Sequence, residues 1–316
     1  MNYERVGSVG AGPKLGQILF PLALVREVRR RNYDIWVENS TPPFSTSGLQ
    51  VFTSKPVVFL AMNLSGRDMA AKYHVPMHWV ENLGLKFYRY AIGVTDVMRA
   101  EMLKANPKLQ VEVIPNGVDQ ALIDQPAAEQ GDSILFLGRI DIRHKGVDLL
   151  LEAYKEIEQE LDIPLLIAGA GLKNDEAFLR RRIVSLQLET RVHCLGKVTG
   201  KLKDHTFRRA MVYAAPSRCE GVPLAIMEAA SYGLPIVIFG IPDLGWVPDS
   251  LCVRVKPFDV AGYGQALLTL CRNKALRQRL SLAAKEWIRG FSWDSIATRY
   301  EQFLISAATG PSRGKS

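Results

Sequence analysis

The chain has 316 residues, 47% of them hydrophobic and 23% charged, proportions of an ordinary soluble globular protein with room for two domains. The formal net charge of +8 is spread out: residues 1–128 hold 14 basic against 11 acidic side chains, and the remainder 26 against 21. With no basic arm or aromatic-interleaved stripe, this argues against a nucleic-acid partner and suits an acidic small ligand or an anionic membrane surface.

In chain order, the apolar run LGQILFPLALV (15–25) comes first. Its basic cluster REVRRR follows it, where a secretion signal would carry the charge in front, and the run is too short to span a bilayer. It is expected to form a helix packed in the core with a basic, solvated end. Strands are expected at DIWVEN (34–39), PVVFLAM (56–62), YAIGVT (90–95) and VEVIP (111–115), with NSTPPFSTSGL (39–49) as an ordered turn region. The breaker-rich segment 116–132 reads as an interdomain linker.

From Ser133 short apolar runs alternate with helical spacings: SILFLG, GVDLLLEAYKEIEQE, PLLIAGAG, DEAFLRRRIVSLQL, RVHCLG, KDHTFRRAM, VYAAPS, PLAIMEAASYG, PIVIF. That pattern predicts a parallel sheet covered on both faces, a doubly wound α/β domain over 131 to about 274. Two helices follow, with Ser292 as N-cap of the second, and the tail AATGPSRGKS is expected to be disordered. The four cysteines show no close pair or metal-ligand spacing; three lie in or beside apolar runs and are expected to be buried free thiols of a reducing cytoplasm. His74 and His78 are four apart, but Pro76 between them argues against a shared helix face and a metal pair. GAG (169–171) lacks the full dinucleotide fingerprint and reads as a tight turn.

The candidate chemistry begins where the first strand of the second domain stops. Arg139 follows that strand and Lys145 precedes a helix, a pair suited to a diphosphate at the carboxyl edge of an open sheet. Singly, each is more often a solvated loop cation. Glu220 and Glu228 lie in RCEGVPLAIMEA (218–229). Pro223 suits a first helical position, and Gly233 followed by Pro235 a helix end. Glu220 then sits in the loop feeding a helix of about 223–232, with Gly221 allowing close backbone approach and Glu228 inside the helix. Two fixed carboxylates suit the vicinal hydroxyls of sugars, although a single helical or loop glutamate is commonly solvated. His144, beside Lys145, is read as a loop histidine.

In their order and spacing these residues resemble the retaining GT-B glycosyltransferases of family four, the group 1 glycosyltransferases. The resemblance rests on Arg139 and Lys145-Gly146, on Glu220 and Glu228 followed by Gly233-Leu234-Pro235, on VIPNGVD (113–119) and on FSWDSIATRYEQF (291–303). It implies a GT-B fold of two Rossmann-like domains facing a cleft: an acceptor-side domain over 1–127, a nucleotide-sugar donor domain over 128–290, and a closing helix over 291–316 that returns to the first domain. It further implies that Arg139 and Lys145 hold the donor diphosphate and that Glu228 takes the ribose hydroxyls. Glu220 would face the donor sugar, making Glu220, Arg139 and Lys145 the catalytic set. The backbone of Gly221, Val222, Pro223 and Leu224 would complete the cradle, and Gly196, Lys197 and Val198 would line the base.

The expected reaction moves a sugar from a UDP- or GDP-sugar to a glycan, lipid-linked or small-molecule acceptor with retention, and without a further cofactor. No D-x-D stands near a strand end, so no catalytic metal is expected. The enzyme is expected in the cytoplasm, with peripheral contact at the inner face of an anionic membrane left open. Two departures from the family pattern stand out: the opening strands of the first domain are expected to be missing, leaving it shortened, and Ala61-Met62-Asn63 stands where the family carries a histidine near the acceptor. They keep open an alternative, a catalytically weak nucleotide-sugar-binding module that needs a partner chain. A nucleotide-sugar epimerase on the same architecture is disfavoured, because its carboxylate and histidine arrangement is not evident.

Overall fold

The computed structural model describes residues 13–40, 46–62, 64, 66, 77–129, 131–221 and 223–310. The chain divides into two compact units, Met1–Pro115 with Ile296–Ser316, and Asn116–Ser295. The first division falls before the expected position at 127, and the second within a helix rather than at 290. Val222, Asn63, His74 and the adjacent prolines of the 39–49 loop lie outside the described residues.

The first unit opens with α1 (Pro13–Arg30), followed by β1 (Trp36–Asn39), a 3-10 turn at Leu49–Phe52, β2 (Val57–Ala61), α2 (Met77–Leu85), β3 (Tyr90–Gly93), α3 (Asp96–Ala105) and β4 (Gln110–Val113). The strands pair in parallel in the order β1-β2-β3-β4. β2 and β3 are buried nearly throughout because both sheet faces are covered. By contrast α1 is not packed in the core. Of its described side chains only Val28 is fully buried, and Leu22 is 68% exposed, since the apolar residues of the run are spread round the helix and cannot all face one side.

Glu38 and Glu81 are buried carboxylates in this unit, and Glu38 lies on the sheet itself. Only 3% exposed near the carboxyl end of β1, it accepts hydrogen bonds from the Tyr88 hydroxyl and from Ser47 N at 2.6 Å. It thereby ties the strand to the 46–49 turn. Burial raises its pKa above 4.5, although the Tyr88 and Ser47 hydrogen bonds pull the other way. Burial and the Glu38 carboxylate likewise push the Tyr88 phenol up.

The second unit contains α4 (Gln120–Asp124), β5 (Ser133–Leu137), α5 (Ile142–Lys145), α6 (Val147–Ile157), β6 (Leu165–Ala168), α7 (Lys173–Ser185), β7 (Val192–Gly196), α8 (Gly200–Arg208), β8 (Ala210–Ala215), α9 (Leu224–Ser231), β9 (Ile236–Phe239), β10 (Cys252–Val255), α10 (Val260–Arg272) and α11 (Lys274–Ile288). Its sheet runs β10-β9-β8-β5-β6-β7, all parallel. The chain winds outward from β5 through β6 to β7, then returns to lay β8 on the other side of β5. The switch point therefore lies between β5 and β8. Tyr154, Tyr263, Phe207 and Phe239 are fully buried in this core. The two phenols donate to Ile163 O and Val237 O, each at 2.7 Å, satisfying the polar atom that comes with each ring.

The segment 116–132 is built into this unit instead of linking two. The Lys285 ammonium on α11 donates to Ile123 O (2.6 Å), Gln125 O (2.7 Å) and Ser231 O (2.9 Å), and Val118 N donates to Phe291 O at 2.7 Å. The last helix, α12 (Trp293–Thr309), is capped by Ser292, whose hydroxyl accepts from Ser295 N at 3.2 Å. Ile296 and Ala307 pack with Val58, Tyr90, Ile92 and Ile114 of the first unit. Residues 307–309 of the expected disordered tail belong instead to this helix, where Ala307 is buried; residues 311–316 lie outside the described residues. Of the cysteines, Cys252 and Cys271 are buried, but Cys194 and Cys219 are exposed. Cys194 sits on β7, an edge strand whose apolar residues have no second neighbour to cover them.

Because the folded pKa of Glu38 is raised, its stabilising contribution is present below about pH 4.5 and lost as pH rises through the folded value. Urea unfolding of wild type and Glu38→Gln from neutral pH down to about 4.5 should show the wild type gaining on the variant as pH falls. Parallel profiles would contradict this.

Candidate functional site

On one side of the switch point the ends of β5, β6 and β7 are laced together, because glycines let their loops run side by side. Beyond the sheet, Gly138 N donates to Ala168 O and Ile140 N to Ala170 O, both at 3.0 Å, and Gly169 N donates to Gly196 O at 2.7 Å. Gly169 has φ +146, and a Cβ there would lie 1.7 Å from Gly138 O. The GAG turn is therefore a docking strip for the loop that carries Arg139.

That loop turns into α5, whose N-cap Asp141 accepts from His144 N at 3.0 Å. The same carboxylate meets the His144 ring at 3.0 Å and Arg139 Nη2 at 2.8 Å. Burial pushes the Asp141 carboxyl up, but the hydrogen bonds from His144 and the Arg139 charge outweigh it and hold it below its ordinary value. Gly146 closes the turn at φ +64, where a Cβ would stand 2.1 Å from Pro216 O. Only a glycine lets the turn bearing Lys145 press against the end of β8.

The loop after β8 is clamped onto that same turn. Arg218 N donates to His144 O at 2.7 Å. The Arg218 guanidinium forks onto both oxygens of Asp148 on α6, each at 2.7 Å, and also donates to Ile142 O at 2.7 Å. The clamp carries Glu220 to Lys145. The ammonium lies 2.7 and 2.6 Å from the two carboxylate oxygens, and the Glu220 side chain is 5% exposed. Ser217 donates to the same carboxylate at 2.5 Å, while Glu220 N donates to Asp243 Oδ2 at 3.1 Å. Beneath them Tyr213 donates its hydroxyl to Leu137 O at 2.8 Å. Burial, then the Glu220 and Glu228 charges, raise its pKa far above the ordinary value and keep it neutral.

Pro223 is the N-cap of α9 and not its first helical residue, so the helix starts at Leu224. Leu224 is half exposed, and Glu228, one turn on, pairs with Lys203 of α8 at 2.6 Å. Gly196 and Lys197 are exposed at the end of β7, two strands from β5. Val198 is buried, which leaves only its backbone to meet a ligand. The structure thus joins Lys145 to Glu220 directly and keeps Arg139 on the adjoining cap. It places Glu228 in a second pair and leaves Gly196 and Lys197 apart at the sheet edge.

Sequence patterns did not single out Arg218, Asp148, Lys203 or Asp243. An arginine two residues before Glu220 was the available signal for the clamp. Among the described residues, no group of three or more His, Cys, Asp or Glu side chains could hold a metal ion.

The fold matches solved GT-B glycosyltransferase structures. Sucrose-phosphate synthase from Thermosynechococcus elongatus superposes with a TM-score of 0.76 at 20% identity, over 94% of this chain and 82% of that one. Anabaena HepE in complex with UDP and glucose gives 0.74 at 16%, over 95% and 84%. The architecture is therefore GT-B. Residues 131–273 match the family model for glycosyl transferases group 1, so the second unit carries a group 1 glycosyltransferase domain. A phosphatidyl-myo-inositol mannosyltransferase of Mycobacterium leprae is 32% identical over 70% of this chain and 60% of its own length. In Homo sapiens, one component of phosphatidylinositol N-acetylglucosaminyltransferase is 31% identical over 67% and 44%. The chain thus spans less than two thirds of the length of these curated relatives.

Removing the clamp leaves a buried carboxylate and a carbonyl without their donor. Arg218→Ala should therefore cost about 1.5–3 kcal/mol in urea unfolding. Gly146→Ala should cost about 1–3 kcal/mol from the left-handed backbone alone, with the Pro216 contact adding to it. A loss under about half a kcal/mol in either variant would contradict the account.

Proposed function

We propose that the chain is a retaining, nucleotide-sugar-dependent glycosyltransferase whose donor site is the cluster at the β5–β8 switch point. The observation that carries the proposal is the meeting of Lys145 and Glu220, from two different loops, at the carboxyl edge where open α/β sheets bind ligands. Lys145 and Arg139 are placed to take the diphosphate, each now resting on a carboxylate that a phosphate oxygen can replace. The amides at the start of α9 add fixed donors for an anion. Glu228 accepts from the ribose hydroxyls, and Lys203 orients that carboxylate. Glu220 faces the sugar.

In the reaction the bond between the anomeric carbon and the phosphate oxygen breaks, and the electron pair leaves with the diphosphate. The acceptor hydroxyl forms the new bond on the same face of the sugar, and its proton passes to the departing phosphate. The charge that develops on the leaving group is met by Arg139, Lys145 and the helix amides, which are preorganised and so stabilise it with little rearrangement. Two curated relatives are named for transfer to phosphatidylinositol-type acceptors, which puts an inositol phospholipid first among acceptors to assay. No helix among the described residues is long and apolar enough to cross a membrane.

Titration calorimetry with UDP and GDP is expected to show binding to one of the two. Arg139→Ala and Lys145→Ala should each weaken it on the order of tenfold or more, and Glu228→Gln should weaken nucleotide binding as well. Unchanged affinity in the two cation variants would refute the site. Release of free nucleoside diphosphate from a panel of UDP- and GDP-sugars, with the product anomer read by NMR, tests the reaction. Donor binding without turnover on any acceptor would favour the binding-module alternative.

A further inference from the structure

We infer that the first unit carries a second anion site, a pocket for a phosphate group between the end of α1 and the turn before β2. The cavity measures about 290 Å³, and Arg29, Arg31 and Lys55 all line it, with no acidic residue among its lining side chains. Arg31 Nε pairs with Glu27 on its own helix at 2.9 Å. Arg29 lies over the Phe52 ring at 5.2 Å, and Lys55 has no ion pair among the described residues. Glu27 already answers Arg31, which leaves the like charges of Arg29 and Lys55 to be joined by an anion.

Arginines at a helix C-terminus also complement the helix dipole. That explains Arg29 and Arg31 but not Lys55, which comes from a separate segment.

The backbone that carries these exposed side chains is held by a fixed scaffold. Gln50, 9% exposed, donates to Lys55 O at 3.0 Å and Thr53 O at 3.3 Å and accepts from Val57 N at 2.9 Å, so one amide holds the whole turn. The Tyr33 hydroxyl donates to Val28 O at 2.9 Å and lies 2.8 Å from the Thr53 hydroxyl, fixing the helix end to that turn. The Asn32 amide and Ser54 hydroxyl add neutral donors to the lining, and a phosphate, with several acceptor oxygens, can use cations and neutral donors together.

Tyr33 and Lys55 precede β1 and β2, so the pocket is at the amino-terminal edge of the sheet. Ligands of open α/β sheets bind at the other, carboxyl edge. Apolar side chains are exposed on the same two segments: Leu22 is 68% and Val51 53% exposed. Leu22, Arg26 and Arg29, spaced i, i+4 and i+7 on α1, share one helix face. A phosphate attached to an apolar body, as in a phospholipid headgroup, suits cations that share their segments with exposed apolar side chains. A soluble phosphate would use the cations alone.

The test measures the full chain against two probes: vesicles of phosphatidylcholine with and without phosphatidic acid, by sedimentation, and inorganic phosphate, by calorimetry. Each is run on wild type, on Arg29→Ala/Lys55→Ala, and on Arg139→Ala/Lys145→Ala. Wild type should bind at least one probe. The Arg29→Ala/Lys55→Ala variant should lose that binding on the order of tenfold or more while its UDP or GDP affinity and thermal midpoint stay unchanged. Vesicle binding without phosphate binding identifies the headgroup as the source, and phosphate binding with the same variant dependence identifies a soluble phosphate. The inference is overturned if wild type binds neither probe. It is equally overturned if the Arg29→Ala/Lys55→Ala variant binds as wild type does, or if only Arg139→Ala/Lys145→Ala loses binding. Failure of the donor proposal would appear separately, as absent UDP and GDP binding with the pocket results intact.

Discussion

The site depends on one clamp, the Arg218 guanidinium gripping Asp148 and Ile142 O while its own amide meets His144 O. Without it, the loop after β8 and the turn after β5 would be two independent surface segments. Lys145 and Glu220 are 75 positions apart in the chain, and holding them in contact requires that their backbones be fixed first. The forked geometry suits this task, because two parallel charged hydrogen bonds set orientation as well as distance. The glycines act on the same constraint from the other side. Gly146 and Gly169 remove the Cβ atoms that would hold neighbouring loops apart.

Much of the architecture was legible in the sequence because its strands are buried on both faces. SILFLG, PLLIA, VYAA and PIVIF are continuous apolar runs, and burial of that kind leaves a pattern that survives without knowledge of neighbours. The same logic failed where burial depends on position in the sheet. RVHCLG is as apolar as several inner strands, yet it forms edge strand β7 and leaves Cys194 exposed. LGQILFPLALV is apolar enough for a core helix, but α1 lies half exposed because its apolar residues do not gather into one stripe.

The site was legible to a different depth. Arg139, Lys145, Glu220 and Glu228 follow from their spacing around glycines and helix starts, which is local information. Their partners do not: Lys203 meets Glu228 across two helices, and Asp243 reaches the Glu220 amide from the loop after β9. Segment 116–132 was misjudged for a related reason. Its polar, breaker-rich composition describes a chain without regular structure, but two carbonyl contacts from the Lys285 ammonium anchor it regardless of composition, and a third, to Ser231 O, ties it to α9.

Pairing at the switch point also shapes the electric field that a ligand meets from a distance. Arg139 rests on Asp141, Lys145 on Glu220 and Lys203 on Glu228, so each positive charge is largely cancelled within a few ångströms. Long-range steering needs an uncompensated field, and these dipolar pairs supply little of it. Under the proposed function, an anion arriving here would be captured by exchange, displacing a carboxylate from its cation at contact range. The order of events is then a change of partners rather than attraction through the solvent, and the displaced carboxylates are left free to meet the hydroxyls that arrive with the anion.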